Sequence, residues 1–335
     1  MPWSAFVATR LDDGVDTSVQ LLDDEALPDG DVTIDVEWSA VNYKDAMVTV
    51  PGNRVARCSP LVPGVDLAGT VRSSDDPAVP VGSRVLVHGY GLGVERHGGF
   101  AERARVPADW VVVLPEGLTT RRAAAIGTAG FTAVLSLDKL RRAGVEPGNG
   151  PVLVTGATGG VGSMAVAALA GQGYEVVAST GKESEHAYLS SLGATRVVGR
   201  DDVAQSGKRV LAEERWAGAV DCVGGETLAA VLRSLRYGGA VAASGLTGGT
   251  DLETNVYPFI VRGVDLLGVD SVQSPIDVRR KIWQTIGDIL PDDVVDSMVT
   301  REAGLDDVHD VLRDVLAARS RGRVLVRPAP GAGSQ

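Results

Sequence analysis

Residues 152–162 read VLVTGATGGVG, an apolar run that passes through small residues into the start of a helix. This order of residue types suits the seating of a pyrophosphate. Unpaired amide N–H groups and the dipole at a helix N-terminus favour an anion, and side chains there would obstruct its approach. Glycines 159, 160 and 162 keep that seat clear. Against the dinucleotide fingerprint G-x-G-x-x-G the chain places Ala157, Gly159 and Gly162, so alanine stands where the first glycine is expected. A tight turn with no ligand is the competing reading of so short a string. The strand before it, the helix after it and a second strand within about 30 residues favour a dinucleotide.

The end of that second strand, YEVVASTGKES, bears on which dinucleotide. An NAD site usually carries Asp or Glu there for the ribose 2′-hydroxyl. This chain carries Ser179, Thr180, Gly181 and Lys182. A hydroxyl, a glycine and a cation suit a 2′-phosphate, which a carboxylate would repel. NADPH is the expected cofactor. The competing reading leaves Lys182 solvated and gives the ribose to Glu183.

Such turns need strands to align them. From about residue 121 Ala- and Leu-rich helical spacing sets in, and apolar strands then alternate with helices: PVLVTG, YEVVAST, TRVV, AGAVDCVG, GGAVAASG and VDLLGVDS. Alternation of this kind specifies a parallel sheet with helices on both faces, a Rossmann-type α/β domain over 123–271. Residues 1–122 read instead as short strands broken by Gly, Pro and Asp, a β-barrel-like domain that the tail 272–335 completes through GRVLVRP. The closing PAPGAGSQ reads as a loose end. Two domains also suit a chain of 335 residues.

The balance of 32 Lys and Arg against 43 Asp and Glu gives −11. That field disfavours nucleic acid and anionic membranes, so a phosphorylated cofactor must be held by local cations and amides. No stretch approaches the roughly 20 apolar residues of a bilayer span, no apolar signal core is evident, and two cysteines are too few for a disulfide framework. The cytoplasm is the expected compartment.

NYKD at 42–45, PGVDLAGTV at 63–71, GGFAE at 98–102, IGTAGFTA at 126–133 and VTGATGGVGS at 154–163 together resemble the medium-chain dehydrogenase/reductase superfamily. NYKDA, YGGAVAASGL and LLGVDSV are most similar to the acrylyl-CoA reductase branch of its zinc-free quinone oxidoreductases. The resemblance spans essentially the whole chain. It implies a GroES-like β-barrel catalytic domain built from both chain ends, a Rossmann doubly wound sheet between them, a homodimer, and a small-molecule substrate bound in a cleft. Zinc-dependent relatives carry Cys near the position of Asn42 and Gly-His-Glu where this chain has Gly64, Val65 and Asp66, so no metal site is expected. His88 is expected in a loop and His97 at a surface or rim.

The chemistry so implied is hydride addition to the β-carbon of an enoyl thioester such as acryloyl-CoA, with donors stabilising the enolate. The resemblance carries Tyr43, Asn42 and Thr128 to the nicotinamide end, with Tyr43 as possible proton donor and water as the alternative. Asp45 either braces the loop or takes part in chemistry, and Thr128 is either a cofactor contact or a helix cap. Thr158 to Val161 go to the pyrophosphate, and Thr180 with Lys182 to the 2′-phosphate. Leu246, Ser271 and Arg323 are further cofactor contacts, Arg323 as an anion ligand. Arg54, Arg57 and Arg262 are candidates for coenzyme A. The rival readings are an NADPH:quinone or general enone reductase and a non-catalytic NADPH-binding protein.

Overall fold

Alternating apolar residues build the first strands. β3 (Val32–Ala40) buries Val32, Ile34 and Val36 on one face, and β4 (Asp66–Ser74) buries Leu67 and Val71 against them. A computed structural model of the chain describes residues 2–204 and 209–329, so the end of the run PAPGAGSQ lies outside the described residues. The chain forms two compact units, one of residues 1–128, 272–287 and 295–335, the other of residues 129–271 and 288–294.

In the first unit β1 (Trp3–Arg10) and β2 (Val15–Leu22) form an antiparallel hairpin. β3 pairs with β4, and β4 pairs with β5 (Arg84–His88). β6 (Arg103–Val106) lies on β3, and β7 (Val112–Val113) lies on β5. The short helix α1 (Tyr43–Val48) follows β3 directly. Helix α2 (Thr120–Arg142) is interrupted at Gly127, whose φ of +47° and ψ of −152° are not helical.

The second unit carries a six-stranded, wholly parallel sheet. Its strands are β8 (Val152–Val154), β9 (Val176–Ser179), β10 (Arg196–Val198), β11 (Trp216–Asp221), β12 (Leu235–Ala243) and β13 (Asp265–Gly268). They lie in the order β10, β9, β8, β11, β12, β13, the Rossmann arrangement, which reverses direction beside β8 and opens a ligand crevice at the carboxyl ends of the strands. Helices α3 (Gly160–Gly171), α4 (His186–Ser191), α5 (Arg200–Ala204), α6 (Gly225–Ser234) and α7 (Tyr257–Arg262) connect them. Val177, Ala219, Val231, Leu232 and Val241 pack in the core of this unit.

The returning tail gives the first unit β14 (Val299–Ala303) and β15 (Arg323–Val326). β15 pairs with β3 through Leu325 opposite Ala40, and Val308, Val311 and Leu312 pack on Trp3, Phe6 and Phe100. The barrel is therefore assembled from chain segments some 280 residues apart in sequence.

Candidate active site

The turn after β8 has the geometry of an anion seat. Gly156 takes φ +59°, and the amide of Gly159 donates to the Gly156 carbonyl at 3.0 Å. The tight-turn glycine is thus Gly156, one residue before the Ala157 at which the fingerprint placed it, while Ala157 is buried in the core. A Cβ on Gly162 would stand 2.3 Å from the Gly156 carbonyl oxygen, so glycine is required there for the helix to approach the turn. On Gly159 it would meet nothing closer than 3.4 Å. No protein atom demands glycine at 159, and the space it leaves lies at the N-terminus of a twelve-residue helix whose first N–H groups have no side-chain cap. These residues fit a dinucleotide pyrophosphate.

Beside it, Ser179 and Thr180 are buried at the end of β9, and the Thr180 hydroxyl accepts the Lys182 amide at 3.1 Å. Gly181 is exposed. A Cβ there would lie 2.8 Å from Nε and 3.1 Å from Cζ of Arg200, so the Arg200 guanidinium lies directly over Gly181. Arg200 was not singled out from sequence; it reaches Gly181 because β10 pairs with β9, Val198 opposite Ser179. Leu246, 55 % exposed, follows β12, and Ser271 follows β13, both on the carboxyl side of the sheet. Asp221 at the end of β11 accepts the Thr155 hydroxyl at 2.6 Å and the Gly224 amide at 2.7 Å, tying the ends of β8 and β11 together. Burial raises its carboxyl above the usual carboxylate range.

In the first unit a buried polar network lies beneath Tyr43. Asp66 opens β4, and its Oδ1 accepts both the Thr128 hydroxyl and the Thr128 amide, the latter at 3.0 Å. Its Oδ2 accepts the Asn42 side-chain amide at 2.8 Å and Arg323 Nη2 at 3.3 Å. Arg323 Nε donates to the Ala125 carbonyl at 2.8 Å, and Nη1 donates to the Val41 carbonyl and to Asn42 Oδ1. Asp45, fully buried, accepts the amides of Asn42, Gly64 and Val65. Burial pushes its carboxyl up to about 7, against the pull of those amides. Burial likewise lowers the Arg323 guanidinium from its ordinary value.

Several of the expected site residues make their hydrogen bonds within the protein. Asn42 bonds through both its side-chain amide and its carbonyl oxygen inside the protein. Asp45 braces, by holding the Gly64–Val65 backbone. The hydroxyl of Thr128 donates inward, and its amide is capped by Asp66 in place of a side chain of its own helix. Arg323, expected as an anion ligand, is 2 % exposed with its donors turned inward. Arg262 donates to the carbonyls of Ala212, Arg233 and Leu235, whereas Arg57 forms an exposed ion pair with Glu95, an interaction weak enough to leave it open to an anion. Arg54 stays exposed. His88 is a fully buried strand residue where a loop was expected: the Trp283 indole donates to its Nε2 at 2.9 Å, and burial beside Arg279 holds it well below the usual imidazole range. Tyr43 is different. It is 39 % exposed, and its hydroxyl has no hydrogen-bond partner among the described residues.

Among the described residues no group of three or more His, Cys, Asp or Glu could hold a metal ion, and no helix is long and apolar enough to cross a membrane.

Two family profiles match the chain, an alcohol dehydrogenase GroES-like domain over residues 28–116 and a zinc-binding dehydrogenase over residues 160–287. A probable acrylyl-CoA reductase AcuI of Escherichia coli is 49 % identical over 310 residues, 92 % of this chain and 95 % of that protein. A putative quinone oxidoreductase YhfP of Bacillus subtilis is 46 % identical over 97 % of this chain and 98 % of its own length, and its crystal structure with NAD bound matches with a TM-score of 0.95. The yhdH oxidoreductase from Salmonella enterica, solved in complex with NADP, is 47 % identical with a TM-score of 0.94, covering 97 % of this chain and all of that one. With this identity running through both units, the chain belongs to the medium-chain dehydrogenase/reductase superfamily, in its acrylyl-CoA reductase and quinone oxidoreductase branch.

Proposed function

We propose that this protein is an NADPH-dependent oxidoreductase that reduces the carbon–carbon double bond of a short enoyl thioester, acryloyl-CoA to propionyl-CoA, without zinc. The observation that carries the reading is the interior beneath Tyr43. There Asp66, Arg323, Asn42 and Thr128 are bonded to one another, while the exposed Tyr43 phenol next to Asn42 supports the reading as a hydrogen-bond donor for developing charge. The name and identity of the Escherichia coli relative support the thioester.

NADPH, when bound, supplies a hydride for the β-carbon. The thioester oxygen then carries the negative charge of an enolate, and a donor near it lowers that barrier. Tyr43, on the first turn of α1, is assigned this position, with the proton reaching the α-carbon from the phenol or from a water it orients. Asn42 and Asp45 hold the N-terminal turn of α1 in place. In the second unit the amides of Gly159, Gly160 and Val161 would hold the pyrophosphate, and Thr180, Lys182 and Arg200 the 2′-phosphate.

The second reading, a quinone reductase, is favoured by the similarity to the putative quinone oxidoreductase of Bacillus subtilis. Comparison of kcat/KM for acryloyl-CoA and for a small quinone, each with NADPH and with NADH, decides between them. The expected result is a preference for the thioester and for NADPH. Arg200→Ala should weaken NADPH binding by about tenfold, the scale of one charge-assisted hydrogen bond, and leave NADH unaffected. A strong quinone preference defeats the thioester reading, and equal weakening of both cofactors defeats the role of Arg200.

A further inference from the structure

Asp66 and Arg323 are 0 % and 2 % exposed, with Oδ2 and Nη2 3.3 Å apart. Stability alone explains such a pair poorly. The lost hydration of two charges offsets most of their attraction, and apolar residues of the same volume commonly do as well or better. What sets this pair apart is where its other bonds end. Asp66 holds the amide and hydroxyl of Thr128, immediately after the break in α2, and the side chain of Asn42, immediately before Tyr43. Arg323 holds the Ala125 carbonyl, two residues before the break, the Val41 carbonyl and Asn42 Oδ1. At the break itself a Cβ on Gly127 would stand 2.4 Å from Asp66 Oδ2 and 3.1 Å from Arg323 Nη2, so the two charged groups fill the bend. Residues 41–43 and 125–128 therefore cannot shift against each other without breaking a bond to one ion pair.

From this geometry we infer that Asp66 and Arg323 are positioning residues for the reaction: a buried charged clamp that fixes the Tyr43 end of α1 against Thr128, just past the break in α2, and touches neither substrate nor cofactor. Neutral side chains of similar size could fill the space. They could not supply a fork of guanidinium donors and a carboxylate that accepts from both segments at once. The inference rests on the reading of Tyr43 and Thr128 as flanking the reacting groups.

The test uses Asp66→Asn, Arg323→Met and the double variant. Each single change leaves one buried charge without its counterion and should lower the melting temperature, whereas the double change removes both charges and should recover most of it. If the pair positions Tyr43, the double variant keeps its KM and its NADPH affinity yet loses on the order of 10- to 100-fold in kcat, the cost of a displacement of about 1 Å at the reacting groups. Its isotope effect with NADPH deuterated at the transferred position should rise. A double variant with parental kcat would show the clamp to be structural only. Arg323→Lys provides the check should the double variant fail to fold: it keeps the charge but loses the fork, and parental kcat in that variant equally overturns the inference. All variants are measured with the acceptor the parent reduces. A parent that reduces only quinones overturns the thioester reading and leaves the clamp to be judged on quinone turnover; a parent that reduces neither overturns both.

Discussion

Tyr43→Phe is expected to lower kcat for an enoyl thioester by about 10²-fold or more, the usual contribution of a placed acid or oxyanion donor. The other candidate polar groups of this region are bonded within the protein. Asn42 has both ends of its side chain bonded within the protein, Asp45 accepts only backbone amides, and the hydroxyl of Thr128 donates to Asp66. The Tyr43 phenol is exposed and makes no such bond. Because it makes no internal bond, its removal should change stability by less than about 0.5 kcal/mol. NADPH affinity should stay within about threefold, so the loss appears in kcat and in kcat/KM together. A kcat within about twofold of the parent would assign the proton to water held elsewhere and remove Tyr43 from the chemistry.

Gly127→Val should destabilise the protein on the order of 4 kcal/mol. Two separate terms contribute. The backbone at φ +47°, ψ −152° suits only glycine, and a side chain held there stores about 1–3 kcal/mol of strain. The added Cβ would also stand 2.4 Å from the Asp66 carboxylate, and forced overpacking of a filled interior adds about 1–3 kcal/mol. At roughly 2–4 °C per kcal/mol the melting temperature should fall by about 10 °C. Gly173→Ala separates the terms, because Gly173 has φ +81° and nothing within 4 Å of its added Cβ. It should cost about 1–2 kcal/mol, a backbone term with no packing term beside it. If Gly127→Val melts within about 2 °C of the parent, the bend is not held by the ion pair as described.

The parallel sheet was legible in the sequence because each strand is a short apolar run bounded by turn residues, a pattern that depends on near neighbours. PVLVTG and YEVVAST contain strands β8 and β9, and AGAVDCVG carries most of β11. The pyrophosphate turn was legible as a composition, although the template set the tight bend at Ala157 when Gly156 carries it. The polar network was not legible, for a reason of distance. Asn42 and Thr128 read as available groups because their partner Asp66 is 24 and 62 residues away, and Arg323 read as an outward cation because its partner is 257 residues away. A signal did exist: Asp66 interrupts the apolar run GVDLAG, and Arg323 begins the apolar run RVLV. A charge in such a place is buried only with a partner. Arg200 escaped notice for the same reason, since its place over Gly181 follows from strand pairing.

The separation of Asp66 from Arg323 also sets a timetable for biosynthesis. At about 5–20 residues per second, the 257 residues between them take a ribosome roughly 13–50 s. Through that interval the carboxylate has no guanidinium to meet it, and burying it alone would be costly, so the barrel must wait for β15. Every strand of the parallel sheet, from 152 to 268, emerges during the wait. The half of the molecule translated later should therefore mature first. Protease pulses on nascent chains arrested between residues 295 and 322 would reveal this as a shielded nucleotide-binding core with its N-terminal portion still cleavable, and an N-terminal portion already resistant there would refute the timetable.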